Sequence, residues 1–97
     1  MQYLEQSVAA YRAALEVYTR EQSPQDWAAT QGHLGDVLNV LGERSTREQG
    51  VRYLQQSVES LENALSIFTP ETAPYQNSLT RANLEKARSA LHKISSP

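Results

Sequence analysis

Apolar residues recur along this chain at steps of three and four. Leu4, Val8, Tyr11, Leu15 and Tyr18 share one helical face in the first segment. Leu54, Val58, Leu61, Leu65 and Phe68 repeat that spacing in the third. Such steps keep one side of a helix apolar. The second segment places Trp27, Leu34, Val37, Leu38 and Leu41 at helical spacing. The fourth does so with Leu84, Ala87, Leu91 and Ile94, preceded by Tyr75 and Leu79. No stretch alternates as a half-buried strand would, so the pattern predicts an all-α fold.

The breaks between segments have a chemical basis. Ser23-Pro24 suits an N-cap followed by proline at the first helical position, where the missing N–H costs nothing. Gly42 suits the left-handed residue past a helix end. Ser45 or Thr46 can cap a third helix, with Glu48 or Gln49 completing a capping box. Gly50 weakens that first turn by about 1 kcal/mol relative to alanine. Thr69–Pro74, with two prolines, ends helix three and begins helix four. The predicted helices run over about 2–21, 24–42, 47–68 and 73–94 in one domain, 1–97. Short joints make neighbours antiparallel.

The chain also repeats itself. A shift of 50 residues superposes Tyr3 on Tyr53, Leu4 on Leu54, Ser7 on Ser57, Val8 on Val58, Ala14 on Ala64, Leu15 on Leu65, Thr19 on Thr69, Pro24 on Pro74 and Leu34 on Leu84. These are apolar-face and turn positions, so helix one corresponds to helix three and helix two to helix four. Periods of this size point to stacked helical units.

Within the repeat, Leu34-Gly35-Asp36-Val37-Leu38 followed by Gly42 resembles the first helix of a tetratricopeptide repeat. Ser57-Val58, Leu61, Ala64-Leu65 and Ile67, with Thr69-Pro70 beyond, resemble its second helix. Ser57 stands for the usual small alanine and Leu61 for the usual aromatic. The period of 50 exceeds the family's usual one and resembles the long-repeat bacterial type. Glu85 and Arg88 depart from the pattern where helix two has Gly35 and Leu38. The phase is shifted as well. Residues 27–70 form one full repeat, flanked by two half-repeats, a fragment of an α-solenoid.

That resemblance implies a protein–protein interaction scaffold. Helix one lacks a first-type partner and helix four a second-type partner, and another copy of the chain carries both. Self-association, as a dimer exchanging ends or as a head-to-tail assembly, is expected through Leu4, Val8, Tyr11 and Leu15 on helix one. Leu84, Ala87 and Leu91 serve on helix four. The alternatives are a compact bundle with helix one against helix four, or a segment of a longer array. In the family the first-type helices line a concave face. On this chain that face would present His33, Asp36, Asn39, Asn83 and Lys86 to a peptide, the reading of an adaptor.

Composition narrows the partners. A hydrophobic fraction of 39% excludes a disordered chain. The net charge of −2 is too small to imply a polyanion or a membrane surface. The basic Arg81, Lys86, Arg88, His92 and Lys93 lie on a helix whose only aromatic is Tyr75, so nucleic acid is not the expected partner. There are no cysteines, which excludes disulfides and thiolate metal sites. His33 and Asp36 share a face, but two ligands are too few for a metal. His92 near its helix end is favoured there by the helix dipole, and Trp27 reads as a packing anchor. No nucleophile–base or phosphate-binding motif is present, so neither catalysis nor a cofactor is expected. No apolar run suits a membrane span or signal peptide, and a cytoplasmic protein is expected.

Overall fold

A computed structural model of the chain describes residues 2–96. It contains four helices, α1 (Gln2–Val17), α2 (Pro24–Arg44), α3 (Arg47–Leu65) and α4 (Pro74–Ser95). There are no strands among the described residues. Each helix packs on its chain neighbours. The α2–α3 seam is the most extensive, α3–α4 and α1–α2 are smaller, and α4 only grazes α2. Helix α1 does not pack on α4, so the compact bundle with those two in contact does not form.

The α2–α3 seam is tight because small residues line it. A Cβ on Gly35 would lie 2.6 Å from Leu61 Cγ, and one on Gly42 would lie 2.6 Å from Leu54 Cγ. A Cβ on Gly50 would lie 2.8 Å from the Gly42 carbonyl oxygen. Ser57 Oγ crosses the seam and donates to the Gly35 carbonyl at 2.6 Å in the buried interior. Gly42 is therefore not the left-handed end of a helix. It lies inside α2, and no described residue has a positive φ. Its missing side chain serves close approach, as does that of Gly50.

Two helices stop earlier than their patterns suggest. Helix α1 ends at Val17 instead of 21, and α3 at Leu65 instead of 68. In both, a threonine turns the chain. Gln22 N donates to Thr19 Oγ1 and Thr72 N to Thr69 Oγ1, while Ser23 N and Ala73 N donate to the threonine carbonyls. A hydroxyl that bonds nearby backbone offers the chain an alternative to the helix. Position 20 is arginine and position 70 proline, yet both joints form, so Pro70 is not what the joints have in common, whereas the threonine is.

Those joints show the repeat in three dimensions. Tyr18 N donates to Ala14 O and Phe68 N to Ala64 O; Trp27 N donates to Ser23 O and Asn77 N to Ala73 O. The N-cap residues Ser23 (φ −138°, ψ 64°) and Ala73 (φ −150°, ψ 68°) share one conformation, each followed by proline. The 50-residue shift is thus a shift of structure as well as of letters. At α3, Thr46 is the cap and accepts from Gln49 N, whereas Ser45 Oγ donates back to Leu41 O.

The core is centred on α2 and α3. Leu34, Leu38, Leu41, Leu54 and Leu61 are fully buried. Ala28, Ala64 and Phe68 form one cluster, with Trp27 packed against it and the Arg20 guanidinium 5.8 Å from the indole centroid. Leu61, Leu84 and Ala87 form another. No residue of α1 is buried. No described helix is long and apolar enough to cross a membrane.

Candidate functional site

Two surfaces concern function. The first is a groove of about 160 Å³ between α2 and α4. Leu61 and Phe68 line its apolar part; α2 contributes Gly32, His33 and Asp36, and α4 contributes Leu79, Thr80 and Asn83. The joints before α2 and α4 share one conformation, each leading into a helix that starts with proline. Asp36 is half-buried, and burial pushes its carboxyl above the usual 3.8. His33, Lys86 and the Asn83 amide pull it back. His33 also stacks on Tyr11 of α1, with ring centroids 5.8 Å apart and planes 22° from parallel.

The structure therefore gathers four of the five residues expected on the concave face: His33, Asp36, Asn83 and Lys86. Asn39 does not join them. It is 8% exposed, and its Oδ1 has no hydrogen-bond partner among the described residues. Helix α2 touches three neighbours, so its buried arc is wider than that of a surface helix, and it draws Asn39 inward. The apolar lining was missed: Leu61 and Phe68 read as core residues of a second-type helix. Their positions on the α3 stripe were the available signal. No three His, Cys, Asp or Glu side chains of the described residues gather where a metal would sit.

The second surface is on α1. Leu4, Val8, Tyr11 and Leu15 are half-buried where α1 lies on α2. Leu84 and Ala87 are buried against Leu61, and Leu91 is half-buried. These seven residues were expected to meet another copy, but they make or flank the seams within one chain. Both faces of a seam are apolar, and the letters do not say which neighbour covers them. What stays open is the adjoining stripe of α1. Tyr3 is 85% exposed, Ala10 is exposed and Val17 is 71% exposed, with Ser7 and Ala14 half-buried between them.

The same stripe on α3, which continues into the turn after Leu65, is mostly covered. Its counterparts are Tyr53, Ser57, Ser60, Ala64 and Ile67. Ser57, Ser60 and Ala64 are buried, and Tyr53 and Ile67 are half-buried. The glycine-bearing helix α2 covers them. On α4 the positions equivalent to Gly35 and Gly42 are Glu85 and His92, both exposed. The side of α4 that bears Glu85 and His92 is polar there, although Tyr75 and Leu79 nearer its start are also exposed. Its Arg88 is held by Glu62 at 2.7 Å, an exposed ion pair of small energetic weight.

Compared with protein-family models, with curated proteins and with solved structures, the chain matches none.

Proposed function

We propose that this chain is a protein–protein interaction scaffold of the tetratricopeptide type that associates with itself through α1. One observation carries the reading. Within these 97 residues, helix α1 repeats the α3 stripe without a counterpart of α2 over it, and Tyr3 and Val17 are 85% and 71% exposed. Large apolar residues aligned on one open face mark an interaction surface more than scattered ones do. The form of association in which α1 seats on α4 of another copy, as α3 seats on α2, is disfavoured. That seating needs positions without a Cβ, and α4 places Glu85 and His92 there. Sedimentation equilibrium of the whole chain tests the reading. A mass that rises to at least a dimer with concentration supports it, and a strict monomer at high concentration refutes it.

The groove between α2 and α4 favours a second reading, a peptide-binding adaptor. Its support is the meeting of an apolar floor, Leu61 and Phe68, with polar groups on its rim, which is how small concave sites fix an extended chain. Peptides selected from a displayed library on the whole chain are the probe. Combined Asp36→Ala and Lys86→Ala changes should abolish their binding and leave the sedimenting mass unchanged. Peptides that bind the variant equally well refute this reading.

A further inference from the structure

The chain has 4 glycines, and packing accounts for three of them. A Cβ on Gly35, Gly42 or Gly50 would lie 2.6, 2.6 or 2.8 Å from the neighbouring helix. Gly32 is different. Beyond its own helix, a Cβ there would meet only Ala64 Cβ, at 4.0 Å, an ordinary contact. The backbone does not ask for glycine either, since the residue lies inside α2 and no described residue has a positive φ. A glycine within a helix is less stable than an alanine. The repeat itself carries alanine at the equivalent place on α4, Ala82. What the missing side chain does is leave room in the groove between α2 and α4, which Gly32 lines.

That room limits the size of an occupant. The groove measures about 160 Å³. An apolar cavity of about 150 Å³ accepts a benzene ring. Leu61 and Phe68, both buried, line the apolar part, and Phe68 offers a ring on which another ring packs favourably.

The polar part limits its chemistry. Asp36 is the one carboxylate among the lining residues, and it is half-buried. Burial raises its carboxyl even though His33, Lys86 and the Asn83 amide act the other way. Its partners in the chain therefore do not make up for the water it has lost. A wholly apolar occupant would remove more of that water and return no hydrogen bond. A cationic occupant would meet Lys86, which already stands near the carboxyl. A ring that carries a neutral donor meets both conditions. Among side chains that is the phenol of tyrosine, since the indole of tryptophan is larger than a single ring.

We propose that the groove holds one tyrosine side chain of a partner peptide, with its ring on Leu61 and Phe68 and its hydroxyl donating to Asp36. This rests on the adaptor reading above and adds the residue that the peptide must present.

The test titrates the isotope-labelled whole chain with 4-methylphenol, and with toluene as the same shape without the hydroxyl. 4-Methylphenol should move the amide signals of Gly32, His33, Asp36 and Asn83 and saturate. Toluene should bind about tenfold more weakly, the loss expected for one hydrogen bond to a charged acceptor. Asp36→Ala should abolish that preference without weakening toluene. Gly32→Ala should raise the melting temperature and weaken 4-methylphenol, whereas a glycine kept for packing would lower the melting temperature. Equal binding of the two probes, or Gly32→Ala that binds 4-methylphenol as the parent does, overturns the inference. Displayed peptides that bind the groove without a tyrosine overturn it and leave the adaptor reading standing. A library that yields no groove-binding peptide overturns both. Groove signals that move when the chain alone is concentrated, but stay still in a variant with Tyr3→Ala and Tyr75→Ala, assign the tyrosine to a second copy and overturn the partner named here.

Discussion

Helices α1 and α3 are near copies in sequence and opposites in burial. Both carry Tyr, Leu, Ser, Val, Ala and Leu at matching positions. Yet α3 buries Gly50, Leu54, Ser57, Ser60, Leu61 and Ala64, while α1 buries none. The difference lies in the neighbours. Helix α3 is held between α2 and α4, whereas α1 packs on α2 and reaches α3 through the Arg12–Gln56 hydrogen bond. A helix sequence thus specifies faces, and the number of partners determines how many of those faces leave water. The same residue type should then have different energetic weight at the two equivalent positions.

The largest contrast is expected at Leu54 and Leu4. Leu54 is 1% exposed and Leu4 half-buried. Leu54→Ala should destabilise the chain by about 2–5 kcal/mol in urea unfolding, and Leu4→Ala by about 1 kcal/mol. Equal losses would contradict the contrast.

Next come the glycine positions. Gly42→Ala gains helix propensity but places a Cβ 2.6 Å from Leu54 Cγ. Overpacking should prevail, with a net loss of about 1–3 kcal/mol. At the equivalent site of α4, His92→Ala should change stability by less than about 0.5 kcal/mol. Thermal melts of both variants check this pair.

The serines follow. Ser57→Ala leaves the Gly35 carbonyl without its buried donor and should lose about 1 kcal/mol. Ser7→Ala, in dilute and monomeric protein, should melt as the parent does.

The smallest effect belongs to the groove. Burial raises the Asp36 carboxyl above 3.8, so the folded chain holds that proton more tightly than the unfolded one. Its contribution is greatest below pH 3.8 and is lost as pH rises through the raised folded value. Asp36→Asn should therefore melt slightly higher than the parent at pH 7, by about 2 °C, and show no gain at pH 3.

Much of this was legible in the residues. The four helices and their 50-residue equivalence follow from apolar spacing and from matched turn positions. Helix ends were less legible. Thr19 and Thr69 end their helices through hydroxyl and carbonyl bonds that apolar spacing does not register. Gly42 was misread because a glycine that ends a helix and one that admits a neighbouring helix look alike in one sequence. Assigning faces puts His33, Asp36 and Asn83 on the groove and Lys86 beside it, but Asn39, expected on the same face, is buried, since the width of a buried arc depends on how many helices surround it. The expected association residues fell on the intrachain seams for the same reason.

The central claim is that the open face of α1 becomes covered when chains meet. Amide hydrogen exchange measured residue by residue, at increasing protein concentration, tests it most directly. The account predicts that protection around Ala10 rises with concentration while that of α3 around Ser60 stays constant. Protection in α1 that does not depend on concentration would contradict it.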